Sequence, residues 1–388
     1  MVGPGIKPRK IAVVTSTRAL YGYDRRIMKL IDDSEELELQ AIVTGMHLLK
    51  EYGLSAQEVE RDGFQIAAKV DMCVGGDTPV AFAKSLGVCI QSMAQVFEML
   101  SPDILLISGD RGEILATVMT AAYMSIPVAH IQSGDLSGHI DGSARHAITK
   151  LSHIHFPSCD DSAKRVEKLG EEPWRIFMVG SPQLDDMVRG QNVAPEVVAE
   201  TLGLDLGKQT AIVVQHPVLA EQHKAEEQMI ETMEAIKQVG IQTVVIYPNV
   251  DSAGQEIVKV IDRYSDLPLI KVCRNLDRGI FLGLAKTASV LVGNSSSGIL
   301  EAPSFKLAAV NIGNRQRDRM QASNVINAPH DRQKIAEAIE KALHDPEFKA
   351  ALSQSVNPYG DGYSSERIVK VLSEIGLGQE LLDKKMTY

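Results

Sequence analysis

Ile107–Lys150 reads ISGDRGEILATVMTAAYMSIPVAHIQSGDLSGHIDGSARHAITK. Two short apolar runs each end at a polar loop that contains glycine. Ile104–Ile107 leads into Ser108-Gly109-Asp110-Arg111-Gly112-Glu113, and Val128–Ile131 into Gln132-Ser133-Gly134-Asp135. Such runs, bounded by turn residues, are the pattern of strands buried on both faces in a parallel sheet covered by helices. In these sheets ligands sit beyond the carboxyl ends of the strands. Asp110, Asp135 and Asp141, with Gln132 and the Arg145-His146 pair, are therefore expected to face one crevice.

The alternation continues outward. Ile11–Val14, Leu39–Val43 and Ile176–Val179 read as further strands, and after Ser181-Pro182 the rhythm restarts with Ala211–Val214, Thr243–Ile246, Leu269–Val272, Ser289–Val292 and Ala308–Ile312. Short β-branched runs separated by polar loops and amphipathic stretches define the α/β class. A chain of 388 residues also exceeds the size at which a single core stops growing. The expected architecture is two Rossmann-like domains with parallel sheets facing an interdomain cleft. The first would span 1–182 plus a C-terminal helix in 364–388, and the second 183–363, with Leu184–Leu206 as the junction. Ile368, Val371, Leu372 and Ile375 have helical spacing, with Ser364 or Ser365 as the expected N-cap.

The formal net charge of -10 argues against a nucleic-acid surface, which needs excess Lys and Arg on one face. A single diphosphate can still be held by a few Arg residues and backbone amides. No apolar run approaches the ~20 residues of a membrane span, and Ile11–Val14 is too short for a signal peptide. Cys73, Cys89, Cys159 and Cys273 show neither zinc-site nor disulfide-framework spacing. A cytoplasmic protein with no metal, cofactor or membrane partner is expected.

Other strand ends carry candidates, each with an ordinary structural alternative. Gly293-Asn294-Ser295-Ser296-Ser297-Gly298 could turn amides and hydroxyls toward a diphosphate at a helix start, or be a capped β-α turn. Glu301 would lie one turn on, able to accept hydrogen bonds from a ribose or simply to favour the helix dipole. Gln215-His216-Pro217 places an imidazole at a strand end, where it could neutralise a phosphate or be structural. Arg18 and Arg315 follow apolar runs, as a bidentate phosphate ligand or a surface Arg would. Clustered Asp residues can split their pKa values into an acid and a base, although Asp beside Gly is also common in loops.

Taken in order, these motifs resemble the UDP-N-acetylglucosamine 2-epimerases, and the run Arg145-His146-Ala147-Ile148-Thr149-Lys150 resembles their hydrolysing branch. The likeness also rests on Thr17-Arg18-Ala19, Ser108-Gly109-Asp110-Arg111, His130-Ile131, Gln215-His216-Pro217-Val218, Tyr247-Pro248-Asn249, Gly293–Gly298 with Glu301, Val310–Gln316 and Asn357–Gly362. It implies a GT-B-like fold. It also implies that Arg18, His216, Ser295, Ser296, Glu301 and Arg315 hold UDP, with Asn249 and Arg111 close by. Asp110, Asp135 and Asp141 would be the acid/base carboxylates around the sugar, supported by His130 and Arg145. Two positions depart from the family pattern: Gln132 stands where a Glu usually begins the loop, and Leu20 where an acid usually precedes the aromatic residue.

The implied reaction is loss of UDP and of the C2 proton from a UDP-amino sugar, giving a 2-acetamidoglucal, followed by hydration to the free 2-epimer. The substrate would be UDP-N-acetylglucosamine or UDP-N,N'-diacetylbacillosamine, in sialic- or legionaminic-acid-type synthesis, by a homodimer or homotetramer. Alternatives are a non-hydrolysing epimerase, a GT-B glycosyltransferase and a catalytically silent UDP-sugar sensor.

Overall fold

A computed structural model describes residues 7–50, 54–75, 78–137, 139–190, 193–248, 254–274 and 276–387. Among them, twelve strands alternate with helices. The first six are β1 (Arg9–Thr15), β2 (Leu37–Thr44), β3 (Ile66–Val70), β4 (Ile104–Ser108), β5 (Val128–Ile131) and β6 (Ile154–Phe156). They are followed by β7 (Thr210–Val214), β8 (Gln242–Ile246), β9 (Ile270–Cys273), β10 (Val290–Gly293), β11 (Ala308–Ile312) and β12 (Val325–Ala328). Two parallel sheets result, ordered β3-β2-β1-β4-β5-β6 and β12-β11-β10-β7-β8-β9. Counted from its own first strand, each has the same doubly wound order. The order reverses beside β1 and β4 in one sheet and beside β7 and β10 in the other. Loops leaving those strand pairs diverge to opposite faces, so topology alone opens a crevice there.

The chain divides into two compact units, Met1–Asp186 with Tyr359–Tyr388, and Met187–Pro358, against the 182/183 and 363/364 boundaries read from sequence. The core of the first unit follows from strand periodicity. On β1, Ile11 and Val13 enter one apolar cluster with Ile104, Leu106 and Ala129, while Ala12 and Val14 enter another with Leu105, Ile107 and Val128. Each large side chain so buried contributes about 1.5–3 kcal/mol.

Three strands lie outside the sequence expectation. β3 and β12 are edge strands with partly exposed side chains, and β6 has only three residues, so none forms a long apolar run. Conversely, Ile176–Val179 is not a strand; Ile176 makes a single bridge to His155. The helix Pro79–Leu100 has 22 residues and is long and apolar enough to cross a membrane by length and composition. Its Ala81, Ser85, Cys89, Met93 and Phe97 form an i,i+4 stripe of buried side chains, and the last three join the β4–β5 core. That packing makes it a covering helix of the first unit.

The C-terminal helix Ser364–Glu374 returns to the first unit, where Ile368 and Leu372 pack with Ile27 and Ile31. Its cap differs from expectation. Tyr363 occupies the N-cap position, and the buried Asp185 carboxylate accepts the Ser364 and Ser365 N–H groups at 3.0 and 2.6 Å. A side chain distant in sequence therefore performs the role expected of a local serine.

Candidate active site

In the first unit, the loops after β1 and β4 flank the reversal point. Thr17 Oγ1 caps the helix Arg18–Asp32 by accepting the Leu20 N–H at 3.3 Å. Arg18 opens that helix and pairs with Glu58 at 2.6 Å. Leu20 lies against the β4 loop: a Cβ built on Gly109 would sit 2.6 Å from Leu20 Cδ2, and Gly109 has φ +83°. Only glycine fits both constraints. Leu20 is buried in the core cluster with Leu105 and Ile107 and packs against Gly109, the residue before Asp110, at the position where the resemblance places an acid.

The three Asp residues have different surroundings. Asp110 is ion-paired to Arg145 and accepts the Ser137 hydroxyl through the same oxygen, Oδ2. Arg145, almost wholly buried, also donates to Ser137 Oγ at 3.0 Å and to the Gln132 carbonyl at 3.0 Å, so it ties the β4 and β5 loops together. Asp135 accepts the Ser158 hydroxyl, with its two oxygens 2.6 and 2.7 Å from Oγ. Asp141 lies in the first turn of the helix His139–Leu151 and is exposed. Partial burial and the neighbouring Asp110 raise its carboxyl above the ordinary range, while Arg111 and Arg145 oppose the rise. Asp110, Asp141, Arg111 and Arg145 thus form one electrostatic cluster, to which Asp135 does not contribute a direct contact.

His130 is fully buried at the end of β5. Burial first, then the Arg145 charge, hold it well below the ordinary imidazole range, so it is neutral. Its Nε2 faces the Gly109 carbonyl at 2.9 Å and Nδ1 lies 3.2 Å from the Thr149 hydroxyl. These partners assign the proton to Nε2, which donates to Gly109. His130 is consequently a brace for the Asp110 loop. Gln132 has a left-handed backbone, φ +63°, and its N–H donates to Phe156 O at 3.0 Å.

In the second unit, Asn294 organises the loops after β7, β10 and β11. Its side-chain Oδ1 accepts the His216 N–H at 2.7 Å, and its Nδ2 donates to the His216 carbonyl at 2.8 Å. Its own carbonyl accepts Arg315 Nη1 and Gln316 Nε2, both at 3.0 Å. One asparagine therefore fixes His216, Ser295 and Arg315 at adjacent strand ends. Gly293, with φ +130°, lets the β10 loop pass under β7: a Cβ there would lie 2.1 Å from the Val214 carbonyl. Ser295 Oγ accepts the Ser297 N–H at 3.3 Å. The helix expected after this loop is a single turn, Ser297–Leu300, so its dipole is small and Ser296 merely precedes it. Glu301 follows, where burial raises its carboxyl and Arg278 and Ser297 oppose the rise. Asn249 lies outside the described residues.

Sequence reading missed several members of these clusters. Glu113 is buried and its Oε1 accepts both Ser16 Oγ, at 2.8 Å, and Arg111 Nε, at 2.6 Å. Asp24 is fully buried beneath the β4 end, bonded to Ser108 Oγ at 2.5 Å, and burial pushes it up to about 7. Among the described residues, no group of three or more His, Cys, Asp or Glu is arranged to hold a metal ion.

Two doubly wound sheets with polar residues at both reversal points define a two-domain, Rossmann-like α/β protein of GT-B type. Residues 29–373 match the UDP-N-acetylglucosamine 2-epimerase family, and the chain belongs to that enzyme family. It is 36% identical over 380 residues to the UDP-N,N'-diacetylbacillosamine 2-epimerase (hydrolyzing) of Legionella pneumophila, covering 98% of this chain and 100% of that one. It is 33% identical over 365 residues to a UDP-N-acetylglucosamine 2-epimerase of Neisseria meningitidis, covering 94% and 95%. The crystal structure of a UDP-GlcNAc 2-epimerase from Neisseria meningitidis bound to UDP-GlcNAc superimposes with a TM-score of 0.77 at 17% identity, over 94% of this chain and 99% of that one.

Proposed function

We propose that the protein is a hydrolysing UDP-amino-sugar 2-epimerase in which Asp141 removes the C2 proton. The observation that carries this reading is the contrast between Asp110, ion-paired to the buried Arg145, and Asp141, exposed in the same cluster with its carboxyl raised by partial burial and by Asp110. A general base needs an accessible carboxylate with raised affinity for a proton, whereas a fixed anion stabilises positive charge. In the proposed sequence the anomeric C–O bond breaks and UDP leaves with the electron pair. Asp110 stabilises the developing oxocarbenium charge, and Asp141 takes the C2 proton to leave a 2-acetamidoglucal. Water then adds hydroxide to the anomeric carbon and a proton reaches C2 from the opposite face. The products are UDP and the free 2-epimeric sugar. Arg18, His216, Ser295, Ser296, Glu301 and Arg315 are proposed to take the UDP portion, with no metal or cofactor in the scheme.

UDP-N,N'-diacetylbacillosamine is proposed as the preferred substrate over UDP-N-acetylglucosamine, placing the enzyme in sialic-type acid synthesis in the cytoplasm. Leu20 supports this choice, because an apolar residue packed under the Asp110 loop in place of an acid removes a carboxylate that could bond a sugar hydroxyl. The Gln132 amide supplies hydrogen bonds suited to an added acetamido group. The name of the Legionella relative points the same way. NMR of the sugars released from both compounds tests the preference: kcat/KM is expected to favour the diacetyl compound, and faster turnover of UDP-N-acetylglucosamine contradicts it.

A homodimer is proposed through the first unit. Val80, Phe82 and Met99 on the helix Pro79–Leu100 are exposed, as are Met119, Tyr123 and Met124 on or beside its packing partner Gly112–Tyr123. Exposed large apolar side chains on these two packed helices are the basis for proposing association there. Light scattering is expected to give twice the chain mass of 42.3 kDa, and the chain mass for a Phe82→Glu/Tyr123→Glu variant. A monomeric wild type contradicts the dimer.

A further inference from the structure

Residues 380–384 are tied into the first unit by two cations. The guanidinium of the fully buried Arg175 donates to the main-chain carbonyls of Leu381 at 2.7 Å, Glu380 at 2.8 Å and Asp383 at 3.3 Å. Leu381 is itself buried in the apolar cluster of Ile154 and Phe156. These contacts hold Lys384 against the end of the helix His139–Leu151. Its ammonium donates to the Lys150 carbonyl at 2.6 Å and the Ser152 carbonyl at 2.5 Å, and pairs with Glu171 at 2.7 Å. The buried Glu171 also pairs with Lys150 at 2.7 Å, so the tail and the helix share one carboxylate.

The last carbonyls of a helix have no partner within it, and a cation placed there also meets the negative end of the helix dipole. Lys384 supplies both the donors and the charge from 234 positions away. Buried ionic contacts add little net stability beside apolar packing, so the main contribution of this network is a fixed geometry. What it fixes is the helix that carries Asp141 and Arg145. Arg145 is pinned by Asp110, Ser137 and the Gln132 carbonyl. Asp141 makes no hydrogen bond to a described residue, so only its helix places it. Arg145 stands between Asp141 and Lys150 and acts as a pivot, by which a shift at the anchored end is passed to the carboxylate roughly 14 Å along the axis.

We infer that Lys384 is a positioning residue: by anchoring the C-terminal end of this helix it sets where the Asp141 carboxylate stands for removal of the C2 proton. The inference rests on the proposed reaction, in which Asp141 is the base.

A double-mutant cycle on the full-length enzyme tests it. KM and kcat are measured with UDP-N,N'-diacetylbacillosamine and UDP-N-acetylglucosamine, below every melting temperature, for wild type, Lys384→Met, Asp141→Asn and the double variant. Lys384→Met keeps the apolar stem and removes the donors. It should lower kcat about tenfold with KM within about twofold, since a displaced base loses its reactive geometry. In the Asp141→Asn background the same substitution should cost less than about twofold, because no base is left to place. Lys384→Gln, whose neutral amide keeps a polar head in the pocket, should show the same pattern with a loss of about threefold, and it carries the comparison if the methionine variant does not fold. Equal losses in both backgrounds overturn the inference, since they make the role of the lysine one of stability alone. A kcat unchanged by either substitution overturns it as well. Wild-type activity in Asp141→Asn overturns the assignment of the base and the inference with it, a result distinct from the other two.

Discussion

Replacing Asp141 with Asn is expected to lower kcat by about a thousandfold with little change in KM, the usual contribution of a positioned general base. The substitution keeps the size of the side chain and removes only its ability to take a proton. Asp141 is exposed, and Arg145 makes its hydrogen bonds to Asp110, Ser137 and the Gln132 carbonyl, so the fold should be unaffected. The pH profile supplies a second readout. A base works deprotonated, and the Asp141 carboxyl is raised by burial and by Asp110. Wild-type kcat/KM should therefore fall on the acid side at a pH above the ordinary Asp range, and that limb should vanish from the residual activity of Asp141→Asn. Asp110→Asn should behave differently, because it strips the partner from the buried Arg145 and is expected to lower thermal stability as well as rate. Equal activity for wild type and Asp141→Asn would assign the base to another group.

Asn294→Ala is the second large effect. The side chain meets both polar groups of the His216 peptide, and its removal leaves a buried N–H and C=O without those partners. Each of these two buried hydrogen bonds lost costs about 1–3 kcal/mol, so the second unit should lose about 2–6 kcal/mol of stability. On the proposal that these loops take UDP, the affinity for UDP should fall by at least about tenfold, since His216 loses its fixed position. Thermal melting and calorimetric titration with UDP measure the two effects. A variant that keeps its melting temperature and its UDP affinity would show that the clamp is dispensable.

Much of the fold was readable because parallel strands buried on both faces are short apolar runs, as at Ile104–Ile107 and Ala211–Val214. Strands without such a run escaped: β3 and β12 are edges, and β6 is too short to show periodicity. The tail helix was visible from Ile368 and Leu372, while its cap was not, because Asp185 lies 180 positions before Ser365. At the site the limit is similar. Asp141 and Arg145 have the i,i+4 spacing of a helical ion pair, yet Arg145 reaches across to Asp110, 35 positions away. Nothing local distinguishes the two acids. Glu113 stood in the quoted loop without a signal, because its meaning comes from Ser16, 97 positions earlier. Asn294 lay inside a recognised Gly/Ser motif, but its clamp on His216 spans 78 positions. Residue types at strand ends can be read from a single sequence; which of them pair requires the three-dimensional arrangement.

The most direct test of hydrolysing epimerisation through C2 proton removal is NMR of the reaction run in D2O with a UDP-amino sugar. The expected result is free UDP, an equal amount of free 2-epimeric sugar, and solvent deuterium at its C2. Interconversion of UDP-sugars with no free UDP, or a released sugar that keeps its original C2 proton, would contradict it.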